Sequence, residues 1–186
     1  MVSLAQLWMP ILISTVLVFF ASALFNMVLR FWHAPDYSGF SNEDEVRAAI
    51  RKGGAGPAMF IVPYCKPEDM KKPEAQQKFA EGPVAFVMLR ASGPMSMGGS
   101  LGTWFVFCLL VSVFAGYLAG ATLAPGAEGA QVFRVVLVAA LLGHAFGAIP
   151  NGIWWAHPWN SVIKYVVDGA IYALIVAAIF MCCWPK

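Results

Sequence analysis

Residues 4–29, LAQLWMPILISTVLVFFASALFNMVL, run for 26 positions from Leu4 to Leu29 without a charged side chain. A bilayer core of ~30 Å is crossed by about 20 apolar residues in helical form. The run is long enough to span it once. Three more follow. Leu101 to Leu123 carries no charge, Val135 to Ile163 holds only His144 and His157 as ionisable groups, and Tyr165 to Trp184 holds only Asp168. Pro150 cannot donate to a helix ladder, so the third run is expected to break near it. The reading is an all-α membrane protein, a four-transmembrane-helix bundle with helices at about 8–31, 101–123, 132–152 and 160–183. Leu7 to Phe20 followed by Ala21-Ser22-Ala23 also has the look of a signal peptide. No Lys or Arg precedes that run, so it is read as a retained first helix.

Composition agrees. Hydrophobic residues make up 60% of the chain and charged residues 12%, against about 45–50% and 25% in soluble domains. A net charge of +2 provides no basic field for nucleic acid. The seven tryptophans fall near the expected ends of the runs: Trp8, Trp32, Trp104, Trp154, Trp155, Trp159 and Trp184. Amphipathic indole rings settle at membrane–water interfaces, so these are read as interfacial anchors.

Residues 33–100 differ in kind. They hold eight of the twelve Lys/Arg and eight of the ten Asp/Glu. Ser41-Asn42-Glu43-Asp44 opens a helix that Gly53-Gly54 stops, with Arg47, Arg51 and Lys52 suited to its C-terminal dipole. Pro73 to Ala80 reads as a second helix, and Ala58 to Val62 and Val84 to Leu89 as short strands. This segment is a small α+β extramembrane insertion between helices one and two. It is too small for much core of its own, so it is expected to lean on the membrane, the bundle or a partner. The Lys/Arg bias favours a cytoplasmic insertion with both termini outside.

The stretches His33-Ala34-Pro35-Asp36-Tyr37, Asn42-Glu43-Asp44, Glu81-Gly82-Pro83-Val84, Ser92-Gly93-Pro94 and Met97-Gly98 together carry a resemblance. With them the chain resembles a group of small uncharacterised bacterial inner-membrane proteins. The resemblance spans most of the chain and implies a multi-pass protein of the bacterial cytoplasmic membrane. It implies no chemical role for any residue.

Small residues repeat every four positions at Ser112, Gly116 and Gly120, at Gly143 and Gly147, and at Gly169, Ala173 and Ala177. That spacing lines one helix face and lets backbones approach closely, either within the bundle or against another protein's helix. Lys164 reads as a snorkelling side chain. His33 and Asp36 are three apart and could serve acid–base or metal chemistry, but two groups do not make a site. Cys65, Cys108, Cys182 and Cys183 form no C-x-x-C pair and are read as small apolar residues, with no metal. Trp154-Trp155-Ala156-His157-Pro158-Trp159 lacks the order of haem-handling loops, and no hydrolase, metalloprotease or phosphate-loop motif occurs.

His144 and Asp168 are the intramembrane polar candidates, because ionisable groups at that depth are costly and default to function. Helices three and four run antiparallel, and a rise of 1.5 Å per residue puts the two at ~13 Å and ~10 Å from the Trp154 junction. They are expected to pair. The functional expectation is a non-catalytic accessory or scaffold subunit of a bacterial membrane complex, without cofactor, whose partners are the lipid bilayer and other membrane protein subunits. The alternatives are a small proton- or ion-coupled transporter or channel using His144 and Asp168, and a haem-binding or enzymatic membrane protein. The topology has a direct test. Reporter tags at positions 55 and 127 should label opposite faces of the membrane, and labelling of one face by both would refute it.

Overall fold

The computed structural model describes residues 1–54, 56–94 and 96–186. Ala55, named above as a tag position, lies outside the described residues. Four helical stretches are long and apolar enough to cross a membrane: Trp8–Val28, Met97–Thr122, Gly129–Trp154 and Trp159–Cys182. They are called spans one to four. A two-stranded sheet is the only β structure among the described residues. The chain divides into two units, Met1–Tyr37 with Ser96–Lys186, and Ser38–Met95.

Span one begins as α1 (Trp8–Ala23). It is not the continuous helix expected over 8–31. It widens into a π-helical turn over Leu24–Val28 and breaks at Leu29, where φ is −82° and ψ is 64°. A short helix, α2 (Arg30–His33), and a 3₁₀ turn at Ala34–Asp36 follow. Pro35 ends the regular helix here because it has no N–H to donate.

In the inserted unit, α3 (Glu43–Lys52), β1 (Met59–Val62), α4 (Pro73–Glu81) and β2 (Ala85–Met88) fall where the sequence placed them. The strands pair antiparallel, with Met59 opposite Met88 and Val62 opposite Ala85. Gly82 ends α4 at φ +61°, a backbone state that glycine adopts without Cβ strain. Ala75 is the only buried residue described in this unit.

Span two is one helix, α5 (Met97–Thr122). Span three is α6 (Gly129–His144), a 3₁₀ turn at Phe146–Ala148, and α7 (Ile149–Trp154). The break begins at Ala145, five residues before Pro150. Pro150 leaves the carbonyl four residues back without its usual donor, and the proline ring crowds it. Span four is α8 (Trp159–Cys182). The helices form a ring in which α1 packs on α5, α5 on α6, α6 on α8 and α8 on α1.

Small residues set the close contacts of that ring. A Cβ at Gly169 would strike the backbone of His144 and Ala145, and one at Gly120 would strike the Val2 carbonyl. At Gly116 it would meet Phe180, and at Gly143 the Val111 side chain at 2.8 Å. Ser112 continues the stripe differently, accepting a hydrogen bond from the Ser14 hydroxyl at 3.1 Å. Gly147 departs from the expectation: a Cβ there meets nothing within 4 Å. The helix has already broken at that point, so its four-residue register with Gly143 is lost.

The indoles divide into two groups. Trp8, Trp154, Trp155 and Trp159 are exposed. Trp104 instead donates its Nε1–H to Ser22 Oγ at 2.7 Å, joining α5 to α1. Trp184 donates to the Ala124 carbonyl at 3.1 Å. Trp32 is drawn inward, as described below.

The backbone contact at Gly169 makes a sharp prediction. Gly169→Ala should destabilise the folded protein by about 2 kcal/mol or more, since neither α6 nor α8 can yield without losing packing. Gly147→Ala should change stability by less than about 0.5 kcal/mol. Reversible unfolding in detergent measures both, and equal effects would remove the steric account.

Candidate functional site, a buried Lys–Asp–His–Asp chain

The break in span one turns the segment Trp32–Tyr37 onto the first half of α8. Asp168 lies nine residues into α8, ~13 Å from its start at 1.5 Å per residue. Its Oδ2 is 2.7 Å from His33 Nε2. Its Oδ1 accepts the Trp32 indole N–H at 2.8 Å. On the other side of the imidazole, His33 Nδ1 lies 3.1 Å from Asp36 Oδ2. Lys164 donates to Asp36 Oδ1 and to the Trp32 carbonyl, both at 2.6 Å. The His33 ring stacks on Tyr165 with centroids 4.9 Å apart.

The chain is dry. The side chains of His33, Asp36 and Asp168 are 6%, 4% and 3% exposed. Lys164 is only 18% exposed and does not reach out to water. The snorkelling expectation is thereby corrected: both of its hydrogen bonds run back into the protein.

The arrangement fixes a proton count. A neutral imidazole offers one N–H and one lone pair, and an ionised carboxylate can only accept. Here both ring nitrogens face carboxylate oxygens. The three groups must therefore hold one proton more than a neutral imidazole and two carboxylates. That proton sits on the ring as imidazolium or on one of the carboxyls. Either way the triad carries a charge of −1, and the Lys164 ammonium brings the set to zero. Full pairing is what allows so many ionisable groups to be buried together.

His144 does not join this chain. The pair expected from its depth does not form, because Asp168 is turned toward His33 and Trp32. Both His144 ring nitrogens are buried without a hydrogen-bond partner. The ring is held edge-on by Phe107 and Tyr172, with centroids at 5.7 and 5.8 Å. Depth alone put His144 and Asp168 level; the direction each takes around its helix axis decided the partner. A buried unsatisfied group of this kind costs about 1–3 kcal/mol.

Asp168 and His144 do share a cavity of about 760 Å³ at this end of the bundle. Its walls come from all four spans and include Asn26, Trp104, Gly147, Asn151, Tyr165 and Tyr172. The opposite end is filled: Phe180 reaches Gly116, and the Val2 amide donates to the Gly120 carbonyl at 2.9 Å. The bundle is packed at one end and holds the cavity at the other.

Comparison with protein families, with curated proteins and with solved structures finds no match to this chain. The site therefore has to be read from its own chemistry.

Removing one member of a buried pair leaves an uncompensated charge, at a cost of about 3–5 kcal/mol. Asp168→Leu and His33→Leu should each destabilise on that scale, while His144→Leu should cost under about 1 kcal/mol because no bond is lost. Unfolding in detergent that ranks His144→Leu with Asp168→Leu would restore the discarded pair.

Asp36 supplies a pH dependence. The hydrogen bond from Lys164 holds its carboxyl below the usual carboxylate range, against the opposing effect of burial, and His33 adds to the lowering. A lowered folded-state value means the contribution to stability is complete above the unfolded value of about 4. It is lost as pH falls further, through the lowered folded value. Stability of the wild type should drop in that acid window. The Asp36→Asn variant should lack this component, and equal acid sensitivity in the two would count against it.

Proposed function

We propose that the protein is a multi-pass protein of the bacterial cytoplasmic membrane that handles protons, a small proton-coupled transporter or channel. The observation that carries this reading is the buried hydrogen-bonded chain Asp36–His33–Asp168. Its last member, Asp168, lines the cavity. Ionisable groups inside a membrane-crossing bundle mark proton and ion paths far more often than mere packing. The π turn that presents them is itself a frequent companion of functional sites. In this reading Asp168 exchanges a proton with the cavity, His33 passes it on, and Lys164 keeps the set neutral. Residues 38–95 form an extramembrane unit on the cytoplasmic side. No catalytic step, cofactor or nucleic-acid contact is assigned.

A second reading, an accessory subunit bound to other membrane proteins, draws on a separate observation. The inserted unit has almost no core, and its strands expose Met59, Ile61, Val62 and Met88. Two-stranded sheets are marginal alone, so an apolar partner would stabilise this one. The small-residue stripes no longer support it: Gly116, Gly120, Gly143 and Gly169 are occupied by this chain's own packing.

Purified protein in liposomes separates the two. A potassium potential set with valinomycin should drive proton entry, read by an internal pH dye. Asp168→Asn should slow it by about tenfold or more. Flux no greater than in protein-free liposomes refutes the proton reading. A stoichiometric membrane partner retained in mild detergent, and lost on Ile61→Asp, would then favour the accessory subunit.

A further inference from the structure

The cavity that Asp168 lines also has the makings of a ligand site. Its 760 Å³ falls in the range of small-molecule pockets, which are mostly apolar with a few placed polar groups. Phe19, Trp104, Phe107 and Val162 give it an apolar, aromatic wall. Trp104 and Phe107 are stacked with centroids 5.3 Å apart, so the two rings brace each other in that wall. Among the described residues one side chain has buried polar atoms without a partner. His144 lines the cavity, and both its ring nitrogens are buried and unbonded. Phe107 and Tyr172 hold the ring edge-on, so the imidazole is already oriented.

The charge count narrows the ligand. Asp168 is the only acidic side chain lining the cavity, and each of its oxygens already has a partner in Trp32 or His33. Lys164 brings that set to neutrality. No uncompensated charge remains to attract an ion, and among the described residues no lysine or arginine lines the walls to receive a phosphate headgroup; the basic side chains there are the imidazoles of His144 and His157. An unbranched acyl chain would leave His144 unsatisfied. A ring fits the aromatic wall, and an oxygen on it meets the imidazole.

We propose that this cavity binds a neutral, lipid-soluble ring compound bearing a hydrogen-bonding oxygen, of the quinone or phenol kind, with His144 bonding that oxygen against the Trp104–Phe107 wall. The proposal concerns binding alone. It is read in a different assay from proton flux, so either can fail without the other.

Decylubiquinone is a suitable probe, because quinones quench nearby tryptophan. The full chain in lipid nanodiscs should show saturable quenching at one probe per protein, and Trp104→Phe should lose most of it. His144→Leu should weaken binding by about tenfold or more, as expected for loss of a buried hydrogen bond. His144→Asn, which keeps a donor and an acceptor, should recover part of it. Gly147→Leu should block binding while the protein stays folded, since space at Gly147 is open and belongs to the cavity. Decane should not compete. Quenching that grows linearly with probe, or that is equal in wild type and His144→Leu, would show partition into lipid and overturn the proposal. Equal competition by decane would overturn it too, leaving an acyl-chain pocket. Should Gly147→Leu fail to fold, the comparison of His144→Leu with His144→Asn decides alone.

Discussion

The 2.7 Å contact between His33 and Asp168 is the constraint on which the rest of the structure depends. It joins the end of span one to the first half of span four. A carboxylate nine residues into an apolar helix has to find a donor, take up a proton, or draw water in. Here it finds two partners, the His33 imidazole and the Trp32 indole N–H. Both lie beyond the apolar run of span one. They reach Asp168 because α1 loosens into a π turn and breaks at Leu29. The irregular backbone is thus tied to the burial of a charge. Asp36 and Lys164 complete the compensation from the same two elements.

That bond also explains the uneven packing of the bundle. At the end bearing Phe180 and Val2, Gly116 and Gly120 let neighbouring groups close in, and Gly169 does the same for span four against span three beside Asp168. Span one is committed to span four through polar bonds, and span three breaks at Ala145. The cavity lies at that end of the bundle, between residues of all four spans. Span three breaks just after His144, whose imidazole lines the cavity with neither ring nitrogen hydrogen-bonded.

Much of this was legible in the sequence. Four uncharged runs sufficed for the four spans, because a bilayer demands length and apolarity and little else. Glycine, proline and capping residues located α3, α4 and both strands to within a residue or two. The polar chain was not legible, for two physical reasons. Nothing in Leu24–Leu29 announces a π turn: the segment has neither proline nor glycine, so a straight helix was the natural reading, and it carried His33 away from Asp168. Depth along a helix can also be counted from sequence, whereas rotation about its axis cannot when the helix is apolar all round. His144 and Asp168 were joined on depth alone, whereas Asp168 is bonded to His33 and Trp32. The available signal was the clustering of His33, Asp36, Lys164 and Asp168 at the adjoining ends of runs one and four.

A double-mutant cycle between His33 and Asp168 tests the central claim most directly. Unfolding free energies of the wild type, His33→Leu, Asp168→Leu and the double variant yield the coupling between the two side chains. The account predicts a coupling of about 2 kcal/mol or more, because the second removal takes away a charge that the first had stranded. The same cycle run between His144 and Asp168 should give a coupling near zero. Additive losses at His33 and Asp168, with the coupling found instead at His144, would contradict the account.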